Sequence, residues 1–292
     1  MYDVIIIGQG PAGLSASLYT ARGGLKTIIV GRESILAKSD MIENYCCSEP
    51  MSGRRLIEKG IQQAKKFNVD IVNGEVIDIK RSEDFEVITS DNTYKGKAVI
   101  IATGKSRKRI NIEGIERFEG KGVHYCVTCD GFFYSDKRVG VLGFSDYAVH
   151  EVMEFQGITG HVTLYTNGKK LELDTESSRY MQEKGIRVNT KGIKELKGEQ
   201  TLEQLVFDDG DVEEIDGLFV AYGSASSVDF ARKLGILLDG DNIKVDKNQS
   251  TNVKGVFAAG DCVGGIMQIA TAVGQGAVAG QMAKAYVMNE TG

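Results

Sequence analysis

An α/β fold built on two parallel βαβ units is predicted by three features of the sequence. Tyr2-Asp3-Val4-Ile5-Ile6-Ile7 is a continuous apolar run of buried parallel-strand type. It leads into Gly8-Gln9-Gly10-Pro11-Ala12-Gly13, a helical pattern through Leu14, Leu18 and Ala21, and a second strand from Lys26 to Val30. A start of the same form recurs at Arg138 to Leu142, with Gly143-Phe144-Ser145-Asp146-Tyr147-Ala148 opening a helix to about Phe155 and a strand from His161 to Tyr165. The length of 292 residues suits two domains of about 100–200 residues each.

The first unit has the strand, G-x-G-x-x-G, helix, strand context that a dinucleotide site requires. Its glycines let the backbone approach a pyrophosphate, and the helix N-terminus supplies N–H donors. The acidic residue expected on the ribose at the end of the second strand is replaced by Gly31, with Arg32 and Glu33 following as candidates for the adenosine end. Ser52 to Phe67 carries helical periodicity. Val69–Val72, Val76–Ile79 and Phe85–Ile88 read as a small meander with Asp91-Asn92 as a turn. Lys97 to Ile101 is another buried strand, ending in the tight turn Ala102-Thr103-Gly104. The basic run Lys105, Arg107, Lys108, Arg109 suits a solvated loop or a docking patch for an acidic partner.

In the second unit Ser145 replaces the middle glycine, which puts a side chain where a pyrophosphate would lie. Thr166-Asn167-Gly168-Lys169-Lys170 stands where a 2′-phosphate site would want arginine. Ile186–Asn189, Leu202–Phe207 and Asp216–Ala221 read as strands, with Ile243–Val245 and Val256–Ala258 after them. Gly260-Asp261-Cys262 and a small-residue helix from Gln275 to Met288 close the chain, and this last segment is expected to return to the first unit.

Composition narrows the function. The sequence has 36 Gly against 2 Pro, and a formal charge of −5 that leaves no general nucleic-acid footprint. Residues 121–240 carry 13 Lys and Arg against 20 Asp and Glu, whereas residues 1–120 carry 18 against 16, so the middle reads as a separate acidic unit. No apolar run approaches the roughly 20 residues of a membrane helix. With no signal peptide visible, a soluble cytoplasmic protein is expected.

Cys126-Val127-Thr128-Cys129-Asp130 is the chemical centre of the sequence. Two cysteines at this spacing can close a small disulfide or open to an attacking and a resolving thiol, with the adjacent aspartate as proton donor and acceptor. A zinc half-site would need a second ligand pair. The other cysteines, Cys46, Cys47 and Cys262, and the three histidines, His124, His150 and His161, show no such spacing, so no metal site is expected. In a reducing compartment the motif is catalytic more readily than structural.

These residues together resemble the low-molecular-weight thioredoxin reductases, essentially end to end. The carriers are Gly8 to Gly13, Ile42-Glu43-Asn44-Tyr45, Ala102-Thr103-Gly104, Cys126 to Gly131, and Gly255-Val256-Phe257-Ala258-Ala259-Gly260-Asp261. The resemblance implies two Rossmann-like nucleotide-binding domains, the second inserted into the FAD domain. The FAD domain would comprise 1–115 and 241–292, with a central redox domain over 116–240. It implies FAD held by Gly8, Gly10, Pro11, Ala12, Gly13, Arg32, Glu33, Asn44, Val76, Ala102, Thr103, Gly104, Gly260, Asp261, Met267 and Gln268. It gives Cys129 the place facing the flavin, Cys126 the attack on a substrate disulfide, and Asp130 the proton. Thioredoxin is the implied partner and a homodimer the implied assembly.

The departures select a branch. The family's GxGxxA motif and its His-Arg-Arg stretch read here as Gly143 to Ala148 and Thr166 to Lys169, so both halves of the NADPH site are degraded while the disulfide site is intact. This pattern resembles the ferredoxin-dependent flavin thioredoxin reductases, with ferredoxin as donor and the basic run from Lys105 to Arg109 as a landing site. Further departures surround the flavin region: the loop after the second strand lacks Gly-Gly-Gln, Met267 replaces an arginine, and Cys46-Cys47 replaces Pro-Gly. A vicinal disulfide there would be strained, and two small loop residues are the plainer reading. The competing readings are an NADPH-dependent reductase with a divergent site, a flavin-dependent dithiol oxidase and a flavin-bound sensor; the intact Asp130 disfavours the last.

Overall fold

The computed structural model describes residues 1–104, 110–223 and 225–290. The basic run Lys105, Arg107, Lys108, Arg109 lies outside the described residues. The chain forms two compact units, Met1–Ser106 with Ser226–Gly292, and Arg107–Ala225.

The first unit is a sheet with helices packed on it. Strands β1 (Tyr2–Ile7), β2 (Thr27–Gly31) and β3 (Asp70–Asn73) run parallel, and β6 (Thr93–Ile101) lies parallel to β1 on its other side. Val4 to Ile7 are at most 2 % exposed, and each such side chain stabilises the fold by about 1.5–3 kcal/mol relative to an exposed one. β4 (Val76–Arg81) and β5 (Phe85–Thr89) form an antiparallel meander with the first half of β6, turned at Asn92, whose carbonyl accepts from Thr89 N. The expected meander is therefore one strand shorter. β3 instead extends the parallel sheet beside β2, because its Asp70–Asn73 register matches Ile28–Gly31.

Helix α1 (Pro11–Arg22) follows β1, and α2 (Gly53–Lys65), N-capped by Ser52, precedes β3. After the inserted unit the chain returns through α6 (Ser227–Leu234), which carries a capping box between Ser226 and Asp229. The expected boundary at residue 240 leaves this helix in the central unit, but it packs on β4, where Lys233 pairs with Asp78 at 3.0 Å, both side chains almost wholly buried. The small hairpin β15–β16 (Leu238–Asp239, Asn242–Ile243) follows. Then β17 (Val256–Ala258) joins β6 in parallel, and α7 (Ile269–Glu290) closes the unit. α7 begins a turn and a half earlier than the small-residue pattern suggests. It lies backbone to backbone on α1: a Cβ on Gly276 would sit 2.2 Å from the Ala12 carbonyl oxygen, and one on Gly280 2.4 Å from that of Ala16.

The second unit has the parallel order β10-β9-β8-β14-β7, formed by Arg187–Asn189, Val162–Tyr165, Val139–Leu142, Gly217–Val220 and Val123–His124. α3 (Val127–Asp130) holds the redox motif, α4 (Asp146–Glu154) follows β8, and α5 (Thr175–Glu183) precedes β10. An antiparallel three-stranded sheet, β11-β12-β13 (Ile193–Lys197, Gln204–Phe207, Val212–Glu214), covers the core of Phe118, Leu142, Leu205, Phe207 and Leu218. α5, α6, β11 and β13 have no counterpart in the sequence reading; their patterns are short and largely polar.

Candidate active site

In the first unit the named residues converge at one crest, because each follows the C-terminal end of a parallel strand: Gly8 after β1, Arg32 after β2, Ala102 after β6 and Gly260 close after β17. This is where open parallel sheets take ligands. Gly8 has φ of +119°, and a Cβ there would lie 2.2 Å from the Ala102 carbonyl oxygen. A Cβ on Gly13 would lie 2.1 Å from the Gly8 carbonyl oxygen. Gly10, the N-cap of α1, meets only Ser34 Oγ at 3.6 Å. Two fingerprint glycines thus close the turn onto the sheet, and the middle one leaves the helix N-terminus open to a ligand.

The other members are arranged around that opening. Gln9 Nε2 donates to the carbonyls of Gly31 and Val72, tying the glycine turn to the C-terminal ends of β2 and β3. Gly260 N donates to Gln275 Oε1 at 2.9 Å, holding the Gly260–Asp261 turn against α7, and a Cβ on Gly260 would approach the Ala12 Cβ to 3.0 Å. Asn44 Nδ2 donates to Gln268 Oε1 at 3.0 Å, so two predicted residues 224 apart in sequence meet. Met267 is exposed beside Gln268. Val76 is buried in β4. Arg32 pairs with Glu75, and Glu33 with Arg54 at 2.8 Å, so these two side chains arrive already engaged. Thr103 and Gly104 complete the turn after β6. The Cys262 thiol is fully enclosed, and burial pushes it up to about 12, which makes it inert. Cys46 and Cys47 are exposed with sulfurs 3.5 Å apart and are not joined.

In the second unit Cys126 and Cys129 form a disulfide with Cα atoms 5.3 Å apart. Cys126 is the N-cap of α3, and its Sγ accepts from Cys129 N at 3.2 Å. The buried Glu151 of α4 accepts from Val127 N at 3.2 Å, and Thr128 donates to Glu154 at 3.3 Å, so α4 anchors the motif from below. Cys126 is 2 % exposed, whereas Cys129 is exposed. Cys126 must therefore be uncovered before it meets a partner. Asp130 Oδ2 lies 3.2 Å from His124 Nδ1, and His124 Nε2 lies 2.7 Å from the Tyr134 hydroxyl. His124 stacks on Phe219, centroids 5.2 Å apart, and Tyr134 and Phe155 meet the same ring edge-on. Burial first, then Asp130 and Asp216, raise the Tyr134 phenol and keep it protonated. His124 and Tyr134 are absent from the residues predicted for the site. The available signal was Tyr134 standing four residues after Asp130.

The second βαβ turn differs from the first at the corresponding place. Gly143 still packs tightly, a Cβ there lying 2.3 Å from the Ala221 carbonyl oxygen and 2.5 Å from the Ala148 Cβ. Ser145 is buried and donates to the Gly223 carbonyl at 2.5 Å. A segment downstream of β9 straps across the turn: Glu172 N donates to Phe144 O at 2.8 Å, Ser145 and Glu172 form a parallel bridge, and Asp174 N donates to Asp146 Oδ1 at 2.9 Å. This strap pairs with the turn that opens α4, and the Asp146 carboxylate stands in the first turn of that helix. At the tip of β9, Asn167 adopts φ of 51° and accepts from Ile193 N at 2.7 Å, a loop-closing role.

Residues 2–276 match the pyridine nucleotide-disulphide oxidoreductase family. The thioredoxin reductase of Bacillus subtilis is 33 % identical over 300 residues, covering 98 % of this chain and 95 % of that protein. The chain belongs to the thioredoxin reductases of that family. As such it is a flavoprotein disulfide reductase, and its cofactor is FAD. The open Gly10 crest and the Asn44–Gln268 pair suit that cofactor. Among solved thioredoxin reductases, the atypical TRi of Desulfovibrio vulgaris Hildenborough is 42 % identical, covers 99 % of both chains and superposes with a TM-score of 0.97. The ferredoxin-flavin thioredoxin reductase of Clostridium acetobutylicum is 30 % identical, with 99 % of this chain and 98 % of that one covered, at a TM-score of 0.71. Among the described residues no helix is long and apolar enough to cross a membrane.

Proposed function

We propose that this thioredoxin reductase takes electrons from reduced ferredoxin, not from a pyridine nucleotide, and passes them to thioredoxin. The observation that carries this reading is the strapped second turn. A pyrophosphate needs close backbone approach and open N–H donors at a helix N-terminus. Here Ser145 brings a side chain to the turn, Asp146 puts a carboxylate in the first turn of α4, and the Glu172–Asp174 strap bonds to both. The ferredoxin-flavin enzyme of Clostridium acetobutylicum among the similar structures supports the same donor.

In this reading the Gly8–Gly13 turn, Asn44, the Ala102–Gly104 turn, Gly260–Asp261 and Met267–Gln268 would hold FAD at the crest, and the flavin would supply the conversion of single electrons into a pair. Two electrons and two protons open the Cys126–Cys129 disulfide to a dithiol. Cys126 releases its proton to solvent, and its thiolate attacks one sulfur of the partner disulfide, forming a mixed disulfide and releasing one partner thiolate, which takes a proton from Asp130. Cys129 then loses its proton to Asp130 and attacks Cys126. The intramolecular disulfide re-forms and the second partner thiolate leaves, taking up a proton from solvent. The enzyme works in the cytoplasm as a homodimer.

The test is anaerobic. The flavin of the purified holoenzyme is expected to stay oxidised with excess NADPH or NADH, and to bleach with reduced ferredoxin as thioredoxin thiols appear. Bleaching by NADPH at the rate of turnover would move the donor assignment to the pyridine nucleotide.

A further inference from the structure

We propose that His124 is the positioning residue for Asp130, holding its carboxyl group and resupplying the proton that it gives to leaving thiolates, with Tyr134 closing the relay. This rests on the thiol–disulfide exchange described above but not on the identity of the electron donor.

The three groups form one line, Asp130 Oδ2 to His124 Nδ1 at 3.2 Å and His124 Nε2 to the Tyr134 hydroxyl at 2.7 Å. The atoms fix the direction of the hydrogen bonds. An ionised Asp130 only accepts, so Nδ1 carries a hydrogen, and in the imidazolium Nε2 carries the other and donates to the Tyr134 hydroxyl oxygen. Burial, Asp130 and Asp216 hold that phenol protonated. The imidazole cannot turn away. Its face stacks on Phe219 at 5.2 Å and its strand position is locked by the pairing of Phe219 with His124. The Tyr134 ring stands over Gly217, where a Cβ would lie 2.4 Å from it. The charged groups facing the relay are Asp130 on α3, Asp216 at the start of β14, and Lys137, whose Nζ lies 5.5 Å from the Tyr134 ring centroid. His124 itself is only 12 % exposed at its side chain, whereas Asp130 is 36 % exposed. The aspartate thus faces outward beside Cys129 and the imidazole stands behind it.

The proton balance is simple. The Asp130 carboxylate takes the Nδ1 proton of the imidazolium and gives it to the first departing thiolate. The neutral imidazole keeps its hydrogen on Nε2, donated to the Tyr134 hydroxyl oxygen. The proton lost by Cys129 then passes through Asp130 to Nδ1 and restores the imidazolium. The proton that Cys126 releases to solvent is matched by the one the second departing thiolate takes up, so the dithiol loses two protons and the partner gains two, with no further reactant.

A group that only holds the fold affects every disulfide alike, but a proton donor matters only when the leaving thiol is weakly acidic. Holoenzyme is reduced anaerobically with dithionite, freed of excess, and mixed with oxidised thioredoxin, an alkyl disulfide and an aromatic disulfide with an acidic leaving thiol. His124→Asn keeps a donor near the Nδ1 position but cannot shuttle a proton. It is expected to slow the thioredoxin and alkyl reactions by about tenfold or more, within the reach of general acid catalysis. It should also abolish the step in their pH–rate profiles, and leave the aromatic reaction unchanged. Tyr134→Phe should move the midpoint of that step without removing it. Equal losses on alkyl and aromatic disulfides, no loss on either, or a Tyr134→Phe profile superposable on the unsubstituted enzyme would overturn the relay. If the unsubstituted enzyme reduces the alkyl disulfide but not thioredoxin, the partner assignment falls while the relay is still read from the alkyl arm.

Discussion

Gly10 and Gly13 stand three residues apart in one turn and answer to different demands. At Gly13 a methyl group meets the Gly8 carbonyl oxygen at 2.1 Å, and backbone cannot step aside. Gly13→Ala is expected to cost about 3 kcal/mol or more in the first unit, read as a lower unfolding midpoint. At Gly10 the backbone is already extended and a methyl group has room. Gly10→Ala should change stability by less than about 1 kcal/mol yet weaken FAD retention, measured by flavin released on gel filtration. Equal stability losses at the two sites would contradict the distinction between sheet-facing and ligand-facing glycines. A second residue-scale test concerns Asp216, whose carboxyl is held below the usual range mainly by hydrogen bonds from Arg138, at 2.9 Å from the backbone N–H and 3.1 Å from Nε. A depressed carboxylate contributes stability above its ordinary value of 3.8, and that contribution is lost as pH falls through the folded value. The pair is largely solvated, so Asp216→Asn should cost below about 1 kcal/mol at pH 7 and nothing once the carboxyl is protonated, seen in urea midpoints at the two pH values. The residues that sequence made legible are those whose chemistry is local: the glycine turn and the Cys126–Cys129 pair. His124 was not, because its partners are gathered only when α3 and the turn to Tyr134 fold back beside β7.

At the scale of elements, α1 and α7 meet through glycine and alanine, and this contact ties the two ends of the first unit together. Gly280→Leu places a branched chain against the Ala16 carbonyl, and is expected to destabilise the unit by about 3 kcal/mol or more. Thermal flavin release should move to lower temperature, while the Cys126–Cys129 dithiol of the separate unit still titrates with two equivalents. The apolar strands β1, β2 and β8 were legible because they alternate with nothing and are largely buried on both faces. The edge strand β3 was misplaced because a half-exposed four-residue strand carries no directional signal. Helices α5 and α6 escaped notice on hydrophobicity, although each carries a readable N-cap: Asp174 accepts from Ser177 N at 2.7 Å, and Ser226 exchanges hydrogen bonds with Asp229. The strap from Glu172 to Asp174 had no sequence signature at all. It is made by one backbone hydrogen bond and one from Asp174 N to the Asp146 carboxylate, between segments that α4 and β9 separate in sequence.

Across the whole molecule, two units of like topology have taken different courses. One keeps an open glycine crest over a helix N-terminus, and the other bonds its turn to its own chain and carries the redox motif near its start. The first unit is also discontinuous in sequence, since β17 and α7 complete a sheet that begins at Tyr2. A ribosome translating this chain therefore finishes every strand of the redox unit while the flavin unit still lacks its last strand and longest helix. Units fold as their chains become available. The thiols are thus positioned before the cofactor site is whole, and flavin loading becomes a step that follows the synthesis of β17 and α7.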